Sequence, residues 1–421
     1  MRANRIGFPE KNVLILAVWL LLASPVYGQE PAATEVYDIL LKNGRVIDPS
    51  GKHNGQFDVG IVRNKIVRIA PELPARSARN AVDLSGCFVT AGFIDINAHI
   101  DAGGAWRSVN PDHHSLRHGV TTVVDSGSTG WKTFESFKQT VVDGARTRVL
   151  AFLNIAPEGI STDGRRAQVE DFDVERTAGM AQKHPDVIVG IRTPFDDAGD
   201  LKPLGRALEA ARRSGLILMT DFRAGGRGDY DGLLQQLRSG DIVTAIYGLG
   251  TPQLDGEKKP RTSFRQAHER GILFDLGHGA DGFWFRVAAP AIKEQLLPDT
   301  VSSGIDKESA LLMRAGLSVT LSKLLNLGMT LEQLVERVTV AAARAIRCPE
   351  LGKIEPGGIA DIAVFEIERG RFGFVDSGHA RLAGDKNLRV ILTVRGGKVA
   401  WDPDARSRPD WRYAGPYSNY R

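Results

Sequence analysis

GFIDINAHID, residues 92–101, reads as a short strand that changes character at its end. Phe93, Ile94 and Ile96 are apolar, while Asp95, Asn97 and His99 occupy alternate positions. Alternate strand residues share a face, so Asn97 and His99 look the same way from the strand end. Two imidazoles so placed grip one metal ion, but here the first of the two is an amide.

This strand is the first of eight β-rich runs. The others are GVTTVVD (119–125), RVLAFLNI (148–155), VIVGIRT (187–193), LILMTDF (216–222), DIVTAIYG (241–248), ILFDLGHG (272–279) and TVSSGI (300–305). Helical stretches separate most of them, among them PLGRALEAARRSG (203–215) and TLEQLVERVTVAAARAI (330–346). Eight βα units in about 260 residues predict an α/β fold, a (β/α)8 barrel. Its expected span is 89–349.

The flanks have another texture. Residues 36–70 alternate apolar and polar positions between NG and SG turns, and 352–402 do the same. Such runs are antiparallel strands, and each segment is too short to bury a face alone. Segments 29–88 and 350–402 are therefore expected to form one small composite β-sandwich. Residues 403–421 remain as an aromatic, arginine-rich tail, an extended strap against the sandwich or a partner contact.

The chain opens with Arg2, Arg5 and Lys11, then the apolar run VLILAVWLLLA (13–23), then small residues Val26 and Gly28. That order is a secretory signal peptide over 1–28, predicting an exported protein that starts at Gln29. The apolar run is shorter than the roughly 20 residues a membrane span needs, so no transmembrane anchor is expected. The net charge of +4 is spread without a run of five basic residues, which argues against a nucleic-acid partner. A small-molecule ligand and a homo-oligomer both suit such a chain. Cys87 and Cys348 are the two cysteines; at the start and end of the barrel, their placement tilts toward pairing.

Barrels of this kind build their sites at the C-terminal ends of the strands. Those ends carry Asn97 and His99, Asp125, Asn154, Arg192, Asp221, Ala245 and Tyr247, His278, and then Ser303, Gly304 and Asp306. Asp95 and Asp125 are expected to bond loop amides. The run DHHSLRH, with His113, His114 and His118, precedes the second strand and is expected on a solvated helix face.

The stretches LLKNGRVIDPSG, VTAGFIDINAHID, GVTTVVDSGSTG and LGKIEPGGIADIAVFE resemble the amidohydrolase superfamily. RTRVLAFLNIAPEGI, DVIVGIRT, GDIVTAIYG, GILFDLGHGADGFWFRVA and LPDTVSSGID are similar to its amidohydrolase/deacetylase branch, near dihydroorotases and D-aminoacylases. The resemblance runs from about residue 36 to 402. It implies a barrel holding one or two zinc ions. Their ligands are a His-x-His pair on strand one, a carboxylated Lys on four, His on five and six, and Asp on eight. The metal lowers the pKa of a bound water, which attacks an amide or ester carbonyl.

Those ligand positions fall on Asn97, His99, Arg192, Asp221, Ala245 and Gly304, and only His99 keeps the family's residue. A guanidinium has no free lone pair and repels a divalent cation, and Ala245 and Gly304 bring no side-chain donor. The expectation is a family member without metal, with Arg192 and Asp221 as a bidentate ion pair. It would bind a small carboxylate-bearing ligand through Asn97, His99, Arg192, Asp221 and His278. The alternative is an active hydrolase, metal-free or with one rearranged metal, in which His99 or Asp306 is the base. A structural or interaction protein is a third reading.

Overall fold

The computed structural model describes residues 36–101, 107–160, 167–193, 201–221, 229–251, 253–312 and 315–415. The expected leader (1–28) and the last residues of the tail lie outside the described residues. No helix among those described is long and apolar enough to cross a membrane.

Two sheets organise the chain from Val36 onward. The first strands are β1 (Ile39–Val46), β2 (Gly55–Val62), β3 (Lys65–Ala70), β4 (Ala81–Asp83) and β5 (Phe88–Ala91). The parallel series is β6 (Phe93–Ala98), β7 (Val120–Gly130), β8 (Arg148–Asn154), β9 (Ile188–Arg192), β10 (Ile217–Asp221), β11 (Ile242–Thr244) and β12 (Leu273–Phe274). The chain ends with β13 (Ile362–Val375), β14 (Arg381–Arg395) and β15 (Lys398–Trp401).

Strands β6 to β12 pair in chain order, all parallel. The eighth run, 300–305, closes the ring without forming a regular strand. Asp275 bridges Thr300 on one side and Ala98 bridges Ile305 on the other. Gly304 N donates to Asn97 O at 2.8 Å, and Gly279 N to Ser303 O at 2.9 Å. Both faces of these strands are covered, which is why they read as nearly continuous apolar runs. On β8, Val149, Ala151 and Leu153 pack outward against the helices, while Leu150 and Phe152 fill the barrel with Ile94, Ile96, Val124 and Met219. The two sets alternate because successive strand side chains point to opposite faces.

Several expected elements shift for local reasons. β11 stops at Thr244 because Ala245 turns left-handed, φ +60°. The expected helix 330–346 is two, Leu331–Val338 and Val340–Ala345, divided at Thr339. The first begins on a capping box, the Thr330 side chain accepting from Gln333 N and the Gln333 side chain from Thr330 N.

The terminal segments do meet, and in one continuous sheet. β13 pairs β5 antiparallel, giving the order β15-β14-β13-β5-β1-β2-β3. A separate apolar core lies on it, including Val59, Ile61, Val89, Ile362 and Val394. Phe88–Ala91 therefore belongs to this sheet, and the barrel starts at Phe93. Part of the tail straps the same sheet: Asn80 Nδ2 donates to Ser407 O at 3.0 Å, and Arg389 pairs with Asp404 at 3.0 Å. The expected tilt toward a disulfide is not met: Cys87 and Cys348 are free thiols sitting in different cores. Burial pushes both thiols up, Cys348 to about 11.

Candidate functional site: the C-terminal end of the barrel

Asn97 is committed to a hydrogen bond inside the barrel. It is buried at the end of β6, and its Nδ2 donates to Thr244 Oγ1 at 2.8 Å. Thr244 Oγ1 passes its own proton to Asp275 Oδ2 at 2.6 Å. Thr300 Oγ1 donates to Asp275 Oδ1 at 2.8 Å and Ser302 Oγ to Asp275 Oδ2 at 2.5 Å. Asp275 is fully buried, and that burial raises its pKa against these hydrogen bonds. Strands one, six, seven and eight are thereby tied into one satisfied polar layer.

Asp95 and Asp125 behave as the sequence suggests. Asp95 accepts from Ser303 N at 2.9 Å and from Ser303 Oγ. Asp125 accepts from Ile100 N at 3.1 Å and Ser128 N at 2.7 Å. Burial pushes each carboxyl up to about 7, opposed by those donors. His99 is half-buried, with Nδ1 3.4 Å from Ser128 Oγ.

Arg192, at the end of β9, faces Asp221, at the end of β10. Its Nη2 lies 3.1 Å from Asp221 Oδ1, and both side chains are nearly buried. The ion pair is present through this one Nη2–Oδ1 contact, and not as the expected bidentate fork. Nε and Nη1 are committed as well: Nε to Ser126 Oγ at 3.2 Å, and Nη1 to Thr193 O at 2.9 Å and Met219 O at 3.3 Å. Gly127 (φ +78°) makes room for the arginine stem, since a Cβ there would stand 2.7 Å from Arg192 Cγ. A carboxylate clamp needs two free parallel N–H groups. Arg192 does not have them, so the expected ligand clamp is corrected to an internal strut.

Gly304 has no room for a side chain. Gly304 is left-handed (φ +56°), and a Cβ added to it would stand 2.8 Å from Gly279 Cα and closer still to Gly279 N. The strand-seven loop also runs near Ala245: a Cβ on Gly282 would stand 3.1 Å from the Ala245 methyl. Backbone occupies the space into which a side chain at position 304 would branch.

Three further expectations are corrected. His278 is fully buried, its Nδ1 2.9 Å from Gly279 O and its Nε2 2.6 Å from Lys323 Nζ, so neither ring nitrogen is left for a ligand. Burial and the neighbouring lysine hold its pKa well below the ordinary imidazole value. Asp306 caps helix Lys307–Leu312: Ser309 N donates to its Oδ1 at 2.7 Å, and Arg107 Nη1 stands 4.0 Å from its Oδ2. That is a structural carboxylate, not a base poised over a ligand. His118 is not on a solvated face. It is buried, with Nδ1 2.7 Å from Ser318 Oγ, and burial pushes its pKa down to about 3.

Among the described residues, no three His, Cys, Asp or Glu side chains converge as a metal site requires. With a guanidinium standing between the strand-four and strand-five positions, this donor set does not fit a divalent cation.

No family model matches the chain. A deacetylase of Agrobacterium fabrum is 30% identical over 345 residues, 78% of this chain and 83% of that protein. The chain belongs to the amidohydrolase superfamily. Its deacetylase branch also holds a relative from Enterococcus faecalis, 29% identical over 375 residues, 86% of this chain and 99% of that one. Among solved structures, an adenine deaminase aligns with a TM-score of 0.79 at 27% identity, covering 87% of this chain and all of that one. A dihydroorotase follows at 0.76 and 26% identity, covering 86% and 98%. The superfamily barrel is thus present here.

Proposed function

We propose that this chain is a non-hydrolytic amidohydrolase, one that binds a small acyl- or amide-bearing molecule at the barrel mouth without metal-dependent cleavage of it. The observation that carries the reading is Gly304, where main chain fills the place of the family's general base. Arg192 supports it, because a fixed cation paired to Asp221 opposes recruitment of another cation to the same ground. The ligand class comes from the deacetylases the chain is similar to, and no carboxylate preference is drawn from Arg192. Export rests on the apolar leader and places this binding outside the cytoplasm.

A second reading has its own support. The deacetylase relatives span most of the chain, and His99 retains an imidazole at the mouth. An acyl hydrolase working without the family's metals would use His99 as its base.

N-acetyl amino acids, cyclic amides and acyl esters separate the two. The expected outcome is saturable heat of binding for at least one class, with no turnover whether or not zinc is added. Turnover abolished by His99→Ala would overturn the binding reading in favour of the hydrolase.

A further inference from the structure

Lys323 belongs to helix Leu317–Asn326, and its side chain is completely buried. Its Nζ lies 2.6 Å from His278 Nε2 and 2.6 Å from Val375 O. His278 commits its Nδ1 hydrogen to Gly279 O, so its Nε2 accepts from Lys323. One nitrogen therefore joins a barrel helix, the strand-seven loop at the mouth, and the end of β13.

The hairpin turn just beyond β13 makes this junction more than packing. That turn, residues 376–380 between β13 and β14, docks on the strand-seven loop. Phe285 N donates to Asp376 Oδ2 at 2.9 Å, Ser377 N to Phe283 O at 2.9 Å, and Phe283 N to Ser377 Oγ at 3.1 Å. Gly378 lies against the Trp284 ring, where a Cβ would stand 2.7 Å from Cη2.

An uncharged amine has two N–H groups, and two acceptors stand within reach of Nζ. An ammonium has three, and a buried one needs a counter-charge. The titratable groups facing Lys323 are His278 from the strand-seven loop and Asp376 from the hairpin. His278 is held neutral. The Asp376 oxygens are already occupied by Gly378 N (2.9 Å), Ala380 N (2.8 Å) and Phe285 N. The Phe283 ring, 5.9 Å away, sits at the edge of cation–π range.

We propose that Lys323 is a protonation-gated latch: uncharged, it pins the hairpin tip to the strand-seven loop beside the mouth, and protonated, it lets the tip go. Burial lowers the docked amine to about 7, against an ordinary value of 10.5 once released. The released state therefore binds the extra proton between those two values. Closure is strongest above the upper one, weakens as pH falls toward the lower one, and changes no further below it.

Hydrogen exchange of the full chain tests this on peptides spanning 374–382 and 280–286, from pH 9.5 to 7.5 with intrinsic rates corrected. Protection in both peptides is expected to fall by about tenfold for each pH unit lost. Lys323→Met keeps the stem without the proton and is expected to flatten that slope. A flat wild-type profile, or an unchanged slope in Lys323→Met, would overturn the latch. So would a slope lost in His278→Gln but kept in Lys323→Met, which would put the proton on the imidazole. Should Lys323→Met fail to fold, the wild-type Lys323 Cε resonance decides. Titration below about pH 8 supports the latch, and titration near the ordinary lysine value overturns it.

Discussion

Gly304→Asp, which restores the family's residue on strand eight, is expected to destabilise the protein by about 2–5 kcal/mol and to bring no metal with it. Two costs add. A non-glycine residue held at φ +56° is strained by about 1–2 kcal/mol in left-handed backbone. The new Cβ must then push on Gly279, whose N–H donates to Ser303 O, while Gly304 N is bonded to Asn97 O. Overpacking of that kind costs about 1–3 kcal/mol, and here it lands on the seam that closes the barrel. Urea unfolding followed by circular dichroism gives the number from the shift in midpoint at constant slope. A variant as stable as wild type would mean that the backbone at this seam is not closed as described.

Breaking the Arg192–Asp221 pair is the other large effect. Arg192→Met strips a counter-charge from a buried Asp221, at an expected cost of about 3–5 kcal/mol. The double variant Arg192→Met, Asp221→Leu removes both charges and is expected to recover the part of that loss owed to the buried carboxylate, while Thr193 O and Met219 O still lose the arginine as donor. A double-mutant cycle measures the coupling directly. Additivity within about 0.5 kcal/mol would show that the two side chains do not depend on each other, and Arg192 would then be free to serve a ligand.

The fold was legible because barrel strands are buried on both faces and announce themselves as apolar runs, GVTTVVD and RVLAFLNI among them. The eighth run was legible as well, although it closes the ring through bridges and not as a regular strand. The consequences of packing were not. Nothing in HGADG tells that its main chain packs against Gly304 closely enough to exclude a side chain there.

The donors of Arg192 illustrate the same limit. An arginine at a strand end suggests a clamp until its partners are seen, and Thr193 O, Met219 O and Ser126 Oγ lie at three different points of the chain. His278, expected at a ligand, and Asp306, expected as a candidate base, show the same limit: each has a local partner. Lys323 did leave a trace, as a lone basic residue in the apolar helix LSVTLSKLLN. Its partners His278 and Val375 lie 45 residues before it and 52 after it, and only the folded chain shows them.

Whether the metal centre has been replaced by main chain and an ion pair is tested most directly by zinc stoichiometry. The full chain is expressed with added zinc, and its metal content is measured by mass spectrometry beside a calorimetric zinc titration. Replacement predicts far less than one zinc per chain and no change in His99→Ala. One tightly held zinc per chain, lost in His99→Ala, would contradict it.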